Sequence, residues 1–194
     1  MVRAIIFDCF GVLVREGLLP FCERYFGEDE ERMNEARSIN RQLNTGYLDF
    51  DGYISELACL AGVKVEQART EIATNPPNTE LFTWIRNDLK PTYKIGLLSN
   101  AGANWLDDLF TPTNVALFDA TVLSYEIKVM KPDPLAYETI ANKLDVDASE
   151  CLFIDDQPYY CEAAEVVGMA AIHYQDNIQL RESLKKYNIF LRKP

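Results

Sequence analysis

Ala4-Ile5-Ile6-Phe7-Asp8-Cys9-Phe10-Gly11-Val12-Leu13 opens the chain with four apolar residues, then a carboxylate, then a glycine. The apolar run is short, unbroken and β-branched at its centre. It therefore reads as a strand buried on both faces, ended by Asp8. Three later runs have the same character: Ile95-Gly96-Leu97-Leu98, Cys151-Leu152-Phe153-Ile154 and Met169-Ala170-Ala171-Ile172. A weaker one is Ala120-Thr121-Val122-Leu123. Fully apolar strands suit a parallel sheet covered on both sides. Helical patterns stand between them, at Leu135 to Leu144 and from Ala163 to Val167. Such alternation predicts βαβ units and a three-layer α/β/α, Rossmann-like core with a parallel sheet.

Residues 15–79 break that rhythm. They hold an acidic helical run from Glu28 to Arg37, a second helical pattern from Phe50 to Leu60 stopped by Gly62, and a short third from Lys64 to Ala73. The turn Asn75-Pro76-Pro77-Asn78 closes the block. The expected organisation is a core of residues 1–14 plus 80–194, with a small helical insertion at 15–79 after the first strand.

The chain has 194 residues, 48% of them hydrophobic and 25% charged, which are the proportions of a globular protein. A chain of this size buries roughly 70% of its unfolded surface and needs no disulfides to fold. Net charge is −11, which argues against a nucleic-acid footprint. It leaves room for a small anionic ligand at a locally positive site. No stretch reaches the roughly 20 apolar residues of a membrane span, and the apolar start is too short for a signal peptide. The five cysteines form no C-x-x-C pair, so reduced thiols in a cytoplasmic protein are expected. The single histidine, His173, joins no cysteine cluster, which argues against zinc.

Ligands of open parallel sheets bind at the carboxyl ends of the strands. Asp8 stands at the end of the first strand, Ser99 and Asn100 at the second, Asp155 and Asp156 at the fourth. Lys131 precedes the helix at Leu135, in Lys131-Pro132-Asp133-Pro134. Carboxylates at close quarters raise one another's pKa unless they share a cation. Mg²⁺ takes oxygen ligands of this kind, often together with a phosphate. A carboxylate is also a nucleophile able to form an aspartyl-phosphate. Ser99 and Asn100 suit phosphate oxygens beside a helix start, and Lys131 neutralises the charge on nucleophile and phosphate.

Phe7-Asp8-Cys9-Phe10-Gly11-Val12-Leu13, Leu98-Ser99-Asn100, Lys131-Pro132-Asp133-Pro134 and Phe153-Ile154-Asp155-Asp156 resemble, in order, the four motifs of the haloacid dehalogenase-like (HAD) hydrolases. The inserted helices resemble that superfamily's small cap. The resemblance implies that Asp8 is the nucleophile, that Ser99 and its neighbour Asn100 bind phosphate, and that Lys131 steadies both. It implies a Mg²⁺ site built from Asp8, the backbone carbonyl of Phe10, Asp156 and, directly or through water, Asp155. The implied substrate is a small phosphate ester; the resemblance says nothing of oligomeric state.

Phe10 departs from the pattern. Phosphatases of the superfamily usually carry a second Asp there, which protonates the leaving alcohol and later activates water. The 2-haloacid dehalogenases have an aromatic residue near this position, use no metal, and hold halide with a cap arginine, for which Arg37 and Arg41 are the regional candidates. Phosphatase leads because Asp155-Asp156 resembles the metal-binding form of the fourth motif. A metal-independent dehalogenase and a non-catalytic phosphate-binding or regulatory protein remain alternatives.

Plainer readings stand beside these. Asp8 and the Asp155-Asp156 pair are acceptable turn residues. Ser99-Asn100 also suits a helix cap, for a helix beginning near Gly102. Lys131 fits an ordinary surface position. Cys9 reads as a small buried hydrophobe and Asp133 as a structural residue. Cys161 stands where the related motif often has Asn, which predicts a looser loop after Asp156. Tyr47, Phe50 and Tyr53 fit either cap contacts or core, and Trp84 and Trp105 fit packing.

Overall fold

The computed structural model describes residues 1–15, 17–73 and 76–192. Asn75 of the expected turn and the end of the chain at Pro194 lie outside the described residues. The apolar runs form β1 (Ala4–Phe7), β2 (Lys94–Ser99), β3 (Ala120–Leu123), β4 (Cys151–Asp155) and β5 (Ala170–His173). They pair in parallel in the order β3-β2-β1-β4-β5. β1 is central and wholly buried. Its alternate residues serve opposite layers, as strand geometry requires. Ile5 and Phe7 join one apolar cluster, Ala4 and Ile6 the other.

After β1 come α1 (Leu18–Tyr25), α2 (Glu30–Asn44), α3 (Phe50–Ala61) and α4 (Val65–Ile72). Asp29 caps α2 by accepting from the Arg32 amide, and Asp49 caps α3 through the Gly52 amide. Gly62 ends α3 in the left-handed region at φ 69°, where a side chain is disfavoured. These helices share a third apolar cluster that includes Phe21, Ile39, Leu43, Ile54 and Leu57.

The chain returns to the sheet at α5 (Thr79–Trp84), capped by Asn78, and passes through a π-helical turn at Ile85–Leu89. Two short helices, α6 (Leu106–Leu109) and α7 (Pro112–Val115), follow β2. α8 (Ser124–Ile127) follows β3, and α9 (Pro134–Lys143) leads to β4. α10 (Pro158–Val166) joins β4 to β5, and α11 (Asn177–Leu184) follows β5. Residues of α5 and α11 cover one face of the sheet, residues of α9 and α10 the other, giving three layers.

Two expectations need correction. The helix over Ala163–Val167 starts earlier, at Pro158, because proline's fixed φ and missing N–H suit a first helical position. No helix begins at Gly102. The Ala101 amide donates to Ser124 Oγ at 2.9 Å, and that hydroxyl reaches the Asn44 carbonyl at 3.2 Å. Gly102 itself lies so close to α2 that a Cβ would stand 2.4 Å from the Leu43 carbonyl oxygen. The segment is drawn against α2 instead of winding into a helix, and α6 starts only at Leu106.

Candidate active site

The register brings the strand ends together. Phe7 pairs with Leu97 on one side and Ile154 on the other. Asp8, Ser99 and Asp155 therefore end adjacent strands at one rim, where the chain departs from β1 toward opposite edges of the sheet.

Lys131 organises this rim. Its side chain is fully buried, and Nζ donates to Asp8 Oδ1 and to Asp155 Oδ2, both at 2.6 Å. The surface reading of Lys131 is thus wrong, because its ammonium is the counter-ion of two buried carboxylates. It also faces the rings of Tyr160 at 4.8 Å and Phe153 at 5.3 Å. Burial alone would favour the neutral amine, but Asp155 and Asp8 more than reverse that and raise its pKa. Asp8 is pushed well above the ordinary carboxylate range, first by burial and then by Asp155 and Asp156, against the pull of Lys131. Burial and Asp155 likewise raise Asp156.

Asp8, Asp155 and Asp156 each offer an oxygen within 4.8 Å of the others. Both oxygens of Asp155 are engaged, Oδ2 by Lys131 and Oδ1 by the Gln157 amide at 2.8 Å. Asp156 is half-buried, and Gln157 Nε2 donates to its Oδ2 at 2.6 Å. The His173 ring donates to the Asp156 carbonyl at 3.0 Å, so this histidine ends β5 in a structural role. The Cys161 thiol donates to the Asp155 carbonyl at 3.6 Å, so the loop keeps a tether where a looser one was expected. Gly11 is forced twice over: φ is +86°, and a Cβ would lie 2.5–2.8 Å from the Asp156 carboxyl atoms.

Ser99 is buried, and its Oγ finds no hydrogen-bond partner. Such orphans are rare and costly, and this one lies on the wall of the cavity at the rim. Asn100 behaves differently. Its amide donates to the Lys131 carbonyl at 3.0 Å and accepts from the Lys131 amide at 2.8 Å. It also reaches the Tyr160 hydroxyl at 3.0 Å. Asn100 thus fixes the backbone that carries Lys131. Asp133 caps α9 through the Leu135 amide, the structural role expected of it.

A cavity of about 430 Å³ opens between this rim and the helices α1–α4. Asp8, Phe10, Ser99, Lys131 and Asp156 line its inner end. Phe10 packs edge-on to Trp105 at 5.1 Å, and Trp105 meets Phe50 at 6.2 Å. Phe50 and Tyr53 line the cavity, whereas Tyr47 is 84% exposed and does not. Of the two arginine candidates, Arg37 is on the lining and Arg41 is not. Tyr160, Gln157 and the bridging Ser124 escaped the sequence reading. The Pro158 that starts α10 is the signal that would have placed Tyr160 in a first helical turn beside the acidic pair.

The chain belongs to the haloacid dehalogenase-like hydrolases, whose family model matches residues 2–168. A phosphatase of Mycobacterium tuberculosis is 38% identical over 68 residues, covering 35% of this chain and 31% of that protein. The chain thus spans about a third of the length of the curated phosphatases it matches. An (S)-2-haloacid dehalogenase of a Pseudomonas species is 23% identical over 185 residues, covering 86% of this chain and 81% of that protein. A HAD family enzyme of Bacteroides thetaiotaomicron, solved with magnesium and inorganic phosphate, shares the fold with a TM-score of 0.66 at 23% identity. That comparison covers 93% of this chain and 99% of the other. No described helix is long and apolar enough to cross a membrane.

Proposed function

We propose that this hydrolase cleaves small phosphate esters with Mg²⁺, using Asp8 as nucleophile. The observation that carries the reading is the partnerless Ser99 hydroxyl beside three clustered carboxylates, two of which share the Lys131 ammonium. A phosphoryl group supplies the acceptor that Ser99 lacks. Three carboxylates against one lysine leave an excess of negative charge that a divalent cation offsets. The donors are hard oxygens, the set Mg²⁺ prefers. Asp156, the second oxygen of Asp8 and the Phe10 carbonyl would hold it, with Asp155 acting through water because Lys131 and Gln157 occupy its oxygens. Bound there, Mg²⁺ would supply charge for the phosphoryl oxygens.

Asp8 attacks phosphorus, the ester oxygen leaves, and an acyl phosphate forms on Asp8. Lys131 opposes protonation of Asp8 and orients it, Ser99 donates to a phosphoryl oxygen, and Asn100 holds the Lys131 segment. Water then releases phosphate and restores the carboxylate. Residues 15–79 act as a cap that excludes bulk water. The magnesium and phosphate of the Bacteroides enzyme support the cofactor.

A second reading, metal-independent dehalogenation, is favoured by Phe10 and by Arg37 on the cavity wall. Hydrolysis of an aryl phosphate with and without Mg²⁺ separates the two. Mg²⁺-dependent turnover that Asp8→Asn abolishes is the expected result. Halide release from a 2-haloacid in chelator, with no phosphate release, would overturn the proposal.

A further inference from the structure

The cavity carries two features that together select a substrate class. The first concerns the proton. Near Asp8, the described lining offers no carboxylic acid other than Asp156, and no imidazole, to protonate a departing oxygen. Phe10 occupies the wall beside the nucleophile and has no proton to give. Lys131 is held by two carboxylates at 2.6 Å, and the Tyr160 hydroxyl, which accepts from Asn100 Nδ2, is as a phenol a far weaker acid than a carboxyl group. His173, the chain's one histidine, is exposed and turned to the Asp156 carbonyl. Asp156 belongs to the metal set.

The leaving oxygen must then depart as an anion. An alkoxide is about as basic as hydroxide, whose parent acid has a pKa of about 15.7, whereas a phenol ionises at about 10. The second feature concerns the rest of the substrate. Beyond the rim, Leu18, Met33, Leu43, Phe50, Ile72 and Trp105 line the cavity. Arg37 is the one charged residue contributed by α1–α4 to the described lining, and it lies on the exposed side with its guanidinium on Asn34 at 2.9 Å. Polar side chains, among them Asn40, Asn44, Tyr53 and Gln157, complete the described lining beside this apolar set. The edge-on series Phe10, Trp105 and Phe50 leads from the nucleophile into the cavity, an arrangement that receives a flat ring.

We propose that the substrates are apolar aryl phosphate monoesters, whose ring lies against Phe10, Trp105 and Phe50 and whose weakly basic phenolic oxygen leaves unassisted. This rests on the phosphatase reading above. The Asp8 carboxylate bonds to phosphorus as the P–O(aryl) bond breaks. That electron pair departs as phenolate, which takes a proton from solvent. Water oxygen then bonds to phosphorus, the Asp8–phosphorus bond breaks, and its pair returns to the carboxylate. The sum is aryl phosphate plus water giving phenol plus inorganic phosphate.

The test compares phenyl phosphate with cyclohexyl phosphate on the wild-type protein with Mg²⁺. The two match in size and apolarity and differ in leaving-group basicity. General-acid help is worth roughly 10²–10⁴-fold, so kcat for phenyl phosphate should exceed that for cyclohexyl phosphate at least 100-fold. A second arm measures competitive inhibition by phenylphosphonate and methylphosphonate, with phenylphosphonate expected at least 10-fold tighter. Trp105→Ala should erase most of that difference. Turnover of cyclohexyl phosphate within about 10-fold of phenyl phosphate, or equal inhibition by the two phosphonates, would overturn the substrate class and leave the phosphatase standing. Absence of turnover with a dinitrophenyl phosphate, whose leaving group needs no proton at all, would instead remove the phosphatase.

Discussion

Replacing Lys131 with Met keeps most of the stem volume and removes the charge. Asp8 and Asp155 then stay at the rim without the ammonium that now lies 2.6 Å from each. Removing one partner of a buried ion pair costs about 3–5 kcal/mol, since the other charge is left uncompensated. For a chain of 150–250 residues each kcal/mol shifts Tm by about 2–4 °C, so the expected loss is roughly 6–20 °C. The loss should depend on pH. Burial already raises Asp8, and without Lys131 its pKa rises further. Between the ordinary carboxylate pKa and that raised value the native state binds more protons than the unfolded one. Stability therefore falls as pH rises through this window. The deficit of Lys131→Met should be small at pH 5 and large at pH 8. Differential scanning calorimetry at both pH values in chelator reads it, and saturating Mg²⁺ should restore part of the loss at pH 8. An equal Tm for variant and wild type at pH 8 would refute the role given to Lys131 as counter-ion of the rim.

Ser99→Ala should separate folding from binding. A buried partnerless hydroxyl costs about 1–3 kcal/mol, so the variant should melt at or above the wild-type temperature. Its inhibition by inorganic phosphate should weaken by roughly 10- to 100-fold, the loss of a hydrogen bond to a charged group. Gly11→Ala should weaken Mg²⁺ binding at least 10-fold by calorimetry, because its Cβ meets the Asp156 carboxylate. Gly62→Ala is the control, since that glycine also has positive φ but open space around it, and Mg²⁺ affinity should not change. Phe10→Asp should raise cyclohexyl phosphate turnover by about 10²-fold while phenyl phosphate changes little, as expected when an acid is supplied. Thiol labelling at pH 8 should find one fast cysteine, the exposed Cys59, and four more after denaturation. Burial pushes Cys151 up to about 11 and Cys161 up to about 12, and Cys9 well above its ordinary value. A second fast thiol would contradict that burial.

The strands were legible because a parallel sheet leaves its mark in contiguous residues. Ala4-Ile5-Ile6-Phe7 is apolar at every position because both faces of β1 are covered. The rim followed from the same cause, since each strand ends where a polar residue interrupts the run. What escaped was set by contacts between distant segments. Lys131 has the same neighbours in sequence whether buried or exposed; only Asp8, 123 positions away, and Asp155 decide which. The missing helix at Gly102 is a similar case, because Ser124 and the end of α2 compete for that backbone. Local propensity is silent about such competition.

Asn100 shows how this matters for chemistry. Beside Ser99 it reads as a second phosphate ligand, yet its amide spends two hydrogen bonds on the backbone of Lys131 and a third on Tyr160. The two neighbours divide the labour of the rim: Ser99 is left with an unmet hydroxyl, while Asn100 is fully employed in placing the lysine. Removal of each should therefore read out differently. Ser99→Ala weakens phosphate binding with the fold intact. Asn100→Ala leaves two buried backbone groups without partners, at about 1–3 kcal/mol each, and displaces the ammonium from Asp8. Asn100→Ala should consequently lower Tm and shift the pH dependence of turnover toward higher pH, because Asp8 loses the partner that opposes its protonation. A pH profile unchanged from wild type in Asn100→Ala, alongside weakened phosphate inhibition, would return Asn100 to the role of direct ligand.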